Sequence, residues 1–137
     1  MKIISFIIYS FLLLFLSYVF ANKALDISAF QSNIFKTGLY SVSITKILSY
    51  FVLLVESIGI ILLIVNKKAG LLYTLIMLII FTIYISFLNF TSRYEVCGCG
   101  GVLNGLSYMA HFIINICLII LSFISLIYYN KFSNEKY

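Results

Sequence analysis

Apolar residues run almost uninterrupted through four stretches of this chain: Ile3–Ala21, Ile44–Val65, Ala69–Phe90 and Ser107–Tyr129. A run of about 20 apolar residues crosses a hydrocarbon core of about 30 Å as a helix. Backbone in lipid must satisfy its own hydrogen bonds, which selects helices or closed barrels. Barrel strands alternate apolar and polar positions, whereas these runs are apolar on successive residues. The pattern therefore predicts an all-α integral membrane four-helix bundle, a single transmembrane domain over residues 1–137. The short link Asn66-Lys67-Lys68 makes the second and third helices antiparallel neighbours, and Thr91–Leu106 joins the third to the fourth. Between the first and second, Asn22 to Ser43 mixes Asp26, Gln31 and Asn33 with Leu25, Ile27, Phe30, Ile34 and Phe35. That mixture predicts an amphipathic segment lying on the bilayer surface.

Composition agrees with this reading. The 137 residues are 64% hydrophobic and only 9% charged, with no Pro and no Trp, against about 25% charged in a soluble domain. The first stretch, with Lys2 before it and Val19-Phe20-Ala21 at its end, imitates a signal peptide. It is longer than the usual apolar core of about 7–15 residues, so a retained membrane helix is expected. The net charge of +5 comes without the clustered Lys and Arg that nucleic acid binding requires; no nucleic-acid partner is expected. The charges bear on orientation instead. Lys2, Lys67, Lys68, Lys131 and Lys136 fall on one side of a four-helix arrangement, and Lys23, Lys36, Lys46 and Arg93 on the other. The pair Lys67-Lys68 in the shortest loop favours that loop, and with it both termini, as cytoplasmic. Tyr40, Tyr94, Tyr128 and Tyr129 fall near the expected interfaces, where amphipathic rings are favoured.

Reactive chemistry concentrates in Cys97-Gly98-Cys99-Gly100-Gly101, a short glycine-rich Cys-x-Cys loop between helices three and four. A dithiol cycles to a disulfide by thiolate exchange with another pair. Closing a ring between residues i and i+2 needs a sharply turned backbone, which Gly98 permits, and the resulting strain makes such a disulfide labile. An extracytoplasmic loop suits this chemistry, because the cytosol keeps thiols reduced. Two other readings stand beside it: an idle or structural thiol pair, and a soft-metal site of Cys97, Cys99 and His111.

His111, the chain's one histidine, falls about one turn into helix four and shares a face with Ser107, Asn115 and Ser122. It either tunes a nearby thiolate or bonds across helices to hold the bundle. Glu56, near the middle of helix two, would cost about 2.5 kcal/mol or more as a bare carboxylate. It must be protonated or paired, with Thr82, Ser86, Asn89 and the tyrosines of helix one as candidate partners, and it serves either proton handling or structure. Cys117 lies about 200° around the helix from the polar face and reads as a small buried hydrophobe.

At this point the chain resembles the MauE/DoxX-like redox-associated membrane proteins. The resemblance rests on the Cys97-Gly98-Cys99-Gly100-Gly101 motif before the last helix and on Asn22-Lys23-Ala24-Leu25-Asp26 followed by Phe30. It extends to Glu56-Ser57-Ile58-Gly59, and to Leu106-Ser107 with His111 and Asn115. One position departs: the family usually carries Phe after the second cysteine, where this chain has Gly100. The resemblance implies thiol–disulfide exchange that supports disulfide formation or thiol redox balance in extracytoplasmic proteins. Cys97 and Cys99 would be catalytic, with His111, Glu56 and Asn115 in tuning or support. It also implies a thioredoxin-like or cysteine-containing partner and a bacterial inner-membrane location. The layout is similar to vitamin K epoxide reductase and the quinone-linked disulfide generators, which use a Cys-x-x-Cys with further loop cysteines. This chain has only Cys97 and Cys99 for such a surface, so no cofactor is assigned and quinone enters only through that likeness. A non-enzymatic accessory or assembly subunit of another membrane protein is the alternative.

Overall fold

The computed structural model describes residues 2–93 and 105–134, and in these the chain is helical almost throughout. The elements are α1 (Lys2–Leu25), α2 (Ile27–Lys36), α3 (Val42–Val65), α4 (Lys67–Phe90) and α5 (Tyr108–Asn134). Helices α1, α3, α4 and α5 are each long and apolar enough to cross a membrane. At 1.5 Å per residue a 24-residue helix is about 36 Å long. Around the bundle, α1 packs on α3 and α5, and α4 packs on the same two, so each span has two neighbours. The core between them is Leu12, Leu16, Leu63, Leu71, Met77, Leu78 and Leu118.

The outer surface is the more apolar one. Ile47, Phe51, Leu54 and Ile61 of α3 and Ile76, Ile80 and Ile83 of α4 are exposed, while Ser49, Glu56, Thr74, His111, Asn115, Ser122 and Ser125 are buried. A helix bundle in lipid gains nothing from hiding apolar side chains, and its interior collects small and polar residues instead.

Three local features set the geometry. First, α1 runs one turn past the apolar stretch that marks it in the sequence, to Leu25, and so carries Lys23 within the helix. Second, Asp26 caps α2, its Oδ1 accepting from the Ala29 amide at 3.1 Å and the Ser28 hydroxyl at 3.0 Å. The amphipathic segment expected on the bilayer surface is this ten-residue helix, and its Phe30 and Ile34 are buried. Gln31 donates to the Ser49 hydroxyl at 3.0 Å, tying α2 to α3, while Leu25 (87% exposed) remains on the outside. The apolar side of α2 thus faces the bundle, because Phe30 and Ile34 recur at helical spacing and find α3 there. Third, α3 and α4 share Asn66 as their boundary, its amide donating to Leu62 O and its side chain accepting from the Ala69 amide. The two helices then touch backbone to backbone: a Cβ on Gly70 would collide with Leu63 and come within 2.7 Å of the Leu62 carbonyl carbon.

Residues 94–104 carry Cys97 and Cys99 and, like Tyr94, lie outside the described residues. The chain leaves the described part at Arg93, whose Nη1 donates to the Thr37 carbonyl at 3.3 Å. The flank of the cysteine segment is therefore anchored at the α2 end of the bundle, beside the turn at Gly38, where φ is +68°.

Candidate functional site

The stripe Leu12, Leu16, Val19 and Lys23 recurs at helical spacing along α1, and all four residues are buried. Its last member is a lysine, and the bundle must neutralise it. Lys23 Nζ forms an ion pair with Glu56 Oε1 of α3, with the two side chains only 5% and 4% exposed. The ammonium also lies 5.3 Å from the Phe30 ring centroid and 5.8 Å from that of Phe81, inside the range of a cation–π contact. Glu56 lies about 14 Å of helix from the Val65 end, deep in the span, where neither charge would be stable alone.

This pairing corrects two sequence expectations. Lys23 was counted among the charges outside the bilayer, because the apolar stretch ends at Ala21. It is instead a core residue reaching back from the last turn of α1. The partners expected for Glu56 are engaged elsewhere. Thr82 donates to Leu78 O at 2.7 Å, Ser86 to Thr82 O at 2.8 Å, and Tyr9 of α1 to Leu63 O at 2.7 Å, while Asn89 is exposed. The signal for Lys23 was the periodicity of α1, extended by one further turn.

Above the pair lies a cavity of about 330 Å³. Lys23 and Glu56 line it together with His111 and Asn115 of α5 and the rings of Phe15, Phe30 and Phe81. Thr37, Tyr40 and Arg93 line it toward the α2 end. Of the expected site residues, Glu56, His111 and Asn115 are thus brought together at one cavity. His111 and Asn115 stand one turn apart on the buried face of α5, which continues through Leu118, Ser122 and Ser125. Ser107, placed on the same face in the sequence, is exposed. Cys117 is exposed on the outer side of α5, opposite the cavity-lining residues; the expected separation from the polar face holds, but the residue is not buried. Glu56 Oε2 is buried and has no hydrogen-bond partner among the described residues.

Lys23, Phe30, Glu56, His111 and Asn115 are separated by up to 92 positions in the sequence, yet they share this one cavity. A family model described as Methylamine utilisation protein MauE matches residues 1–128. The chain belongs to the MauE family. The match takes in all four membrane-spanning helices almost to the end of α5, and the Cys97–Cys99 segment with them. Comparison with curated proteins and with solved structures gave no match for this MauE-family chain. In this MauE-family chain an ion pair, a histidine, an amide and several aromatic rings line one cavity, while the buried Ser49, Thr74, Ser122 and Ser125 lie elsewhere in the interior.

Proposed function

We propose that this MauE-family protein is a membrane thiol–disulfide oxidoreductase that acts on extracytoplasmic proteins through Cys97 and Cys99. The observation that carries this reading is the pair's place in the sequence. Its two thiols fall between Phe90, where α4 ends, and Tyr108, where α5 begins, and Arg93, three residues past α4, is tied to the α2 end of the bundle. The remaining cysteine, Cys117, lies on the outer side of α5.

In the forward direction a client thiolate attacks one sulfur of the Cys97–Cys99 disulfide. The other cysteine leaves as a thiolate, and a mixed disulfide forms. A second client thiolate then displaces the protein's cysteine. The client gains a disulfide, and the protein keeps the two electrons as a dithiol. A thioredoxin-like partner's disulfide takes those electrons by the same exchange and resets the pair. His111, one turn into α5, stands nearest in sequence of the buried titratable groups and would hold a proton during the exchange. The Lys23–Glu56 pair ties α1 to α3, the two helices on which the loop-bearing α4 and α5 pack, and Asn115 stands on the buried face of α5.

The bacterial inner membrane, with both termini cytoplasmic and the cysteine loop outside, fits the charge distribution. With Lys23 consumed by Glu56, five cations stand at the Lys67 side against Lys36, Lys46 and Arg93 at the other. The test is trapping of mixed disulfides on non-reducing gels from cells expressing Cys97→Ser or Cys99→Ser. One of the two variants accumulates a protein adduct that reductant removes. A pair that stays reduced and forms no adduct in either variant removes the proposal. If the Cys97→Ser/Cys99→Ser protein still supports assembly of its partner, the accessory-subunit reading replaces it.

A further inference from the structure

The cavity above the Lys23–Glu56 pair holds one unbalanced group. Glu56 is 3% exposed. One of its oxygens takes the Lys23 ammonium, and the other, Oε2, meets no donor among the described residues. An ionised carboxylate is acceptor-only, and a buried acceptor left empty costs about 1–3 kcal/mol. Whatever completes this site must therefore bring an N–H or O–H. The surrounding wall is aromatic and apolar, which suits a flat ring packed against Phe15, Phe30 and Phe81. The volume, about 330 Å³, is at the lower end for small-molecule sites. Phe51 of α3 (58% exposed) and Ile80 of α4 (57% exposed) border the same cavity. It therefore reaches the lipid-facing surface, and a membrane-dissolved molecule can enter sideways.

We propose that this cavity binds a lipid-soluble phenol, an alkylphenol or hydroquinone head whose hydroxyl donates to Glu56 Oε2 while its ring lies among the three phenylalanines. The phenolic oxygen can also accept from Lys23, whose ammonium carries three donors. An acyl chain brings no donor, and a quinone presents only carbonyl acceptors to a carboxylate oxygen, so neither completes the site. The site does not depend on the cysteine pair and stands or falls separately from the exchange reading.

The experiment uses the full chain in phosphatidylcholine nanodiscs with three probes: 4-octylphenol, its methyl ether, and a decyl-substituted benzoquinone. Binding is read as the rise in Tm with probe concentration and mapped with a diazirine-bearing alkylphenol. The phenol should raise Tm at a concentration about tenfold lower than either other probe, the factor that one lost hydrogen bond of about 1.4 kcal/mol supplies. The diazirine probe should tag α3 and α4 near Phe51 and Ile80 and be competed by the phenol. The Lys23→Met/Glu56→Leu protein, which leaves no orphan charge and no side-chain acceptor at position 56, should bind phenol and ether alike. The Cys97→Ser/Cys99→Ser protein should retain the native preference. Equal affinity for phenol and ether in the native protein overturns the proposal. So does a quinone bound as tightly as the phenol, a preference that survives in the Lys23/Glu56 variant or is lost in the cysteine variant, or no binding of any probe.

Discussion

Lys23 and Glu56 form a buried ion pair, and each depends on the other. Changing Glu56→Gln leaves a buried ammonium without its counter-charge, a loss of about 3–5 kcal/mol. Removing both charges in Lys23→Met/Glu56→Gln should recover much of that, since a buried pair contributes little net stability against apolar replacements. Thermal unfolding in detergent checks this. A double variant no more stable than Glu56→Gln would mean that the ion pair is not the source of the loss. Ser122 gives a contrasting expectation. Its hydroxyl is buried without a partner among the described residues, so Ser122→Ala should leave Tm within the spread of surface substitutions, about 0.5 kcal/mol or less. At this scale the sequence was informative about which polar residues matter and poor at pairing them. Glu56, His111 and Asn115 announced themselves as polar interruptions of apolar runs. Lys23 did not, because it follows the last apolar residue and a lysine there is ordinarily a solvated end. Which residue neutralises a buried charge is a long-range fact, here spanning 33 positions between Lys23 and Glu56.

The elements themselves were legible because lipid leaves few choices. All four spans follow the apolar runs, with shared ends at Val65 and Phe90 and shifts of a few residues elsewhere. The larger shifts fall where a polar residue continues a helix, as in the turn of α1 beyond Ala21. The segment after α1 shows the limit of periodicity. Phe30 and Ile34 mark an amphipathic helix, but nothing local says whether that face meets lipid or protein, and the contact with α3 decides it. The sharpest element-level expectation concerns the α3–α4 hairpin. Gly70 stands against the backbone of Leu62 and Leu63, which cannot yield as a flexible side chain would. Gly70→Ala should therefore cost about 2 kcal/mol by overpacking despite the better helix propensity of alanine. Asn66→Ala, which removes only the cap on α4, should cost about 1 kcal/mol. Ranking the two by thermal unfolding is the check, and an Asn66 variant weaker than the Gly70 variant would contradict the packing argument.

For the whole molecule, the described helices enclose a polar interior, and the cysteine segment proposed for thiol exchange lies outside the described residues. The interior collects Lys23, Glu56, His111 and Asn115 at a cavity that extends to Arg93, the last described residue before the cysteine segment. Removing the cavity's charges should affect stability and ligand preference while leaving the thiol pair chemically intact, and removing the thiols should do the reverse. The membership in the MauE family was readable from the Cys-x-Cys motif and the scattered Lys, Phe, Glu and His positions. Their convergence was not, since it depends on how four helices pack. The most direct test of the exchange proposal is the redox state and sidedness of Cys97 and Cys99. It uses intact spheroplasts carrying the Cys117→Ser protein, so that the pair are the remaining thiols, and a membrane-impermeant maleimide added with or without prior reductant. The proposal predicts little labelling before reduction and modification of both thiols from outside after it. Thiols labelled in full without reductant, or reached only after the membrane is opened, would contradict it.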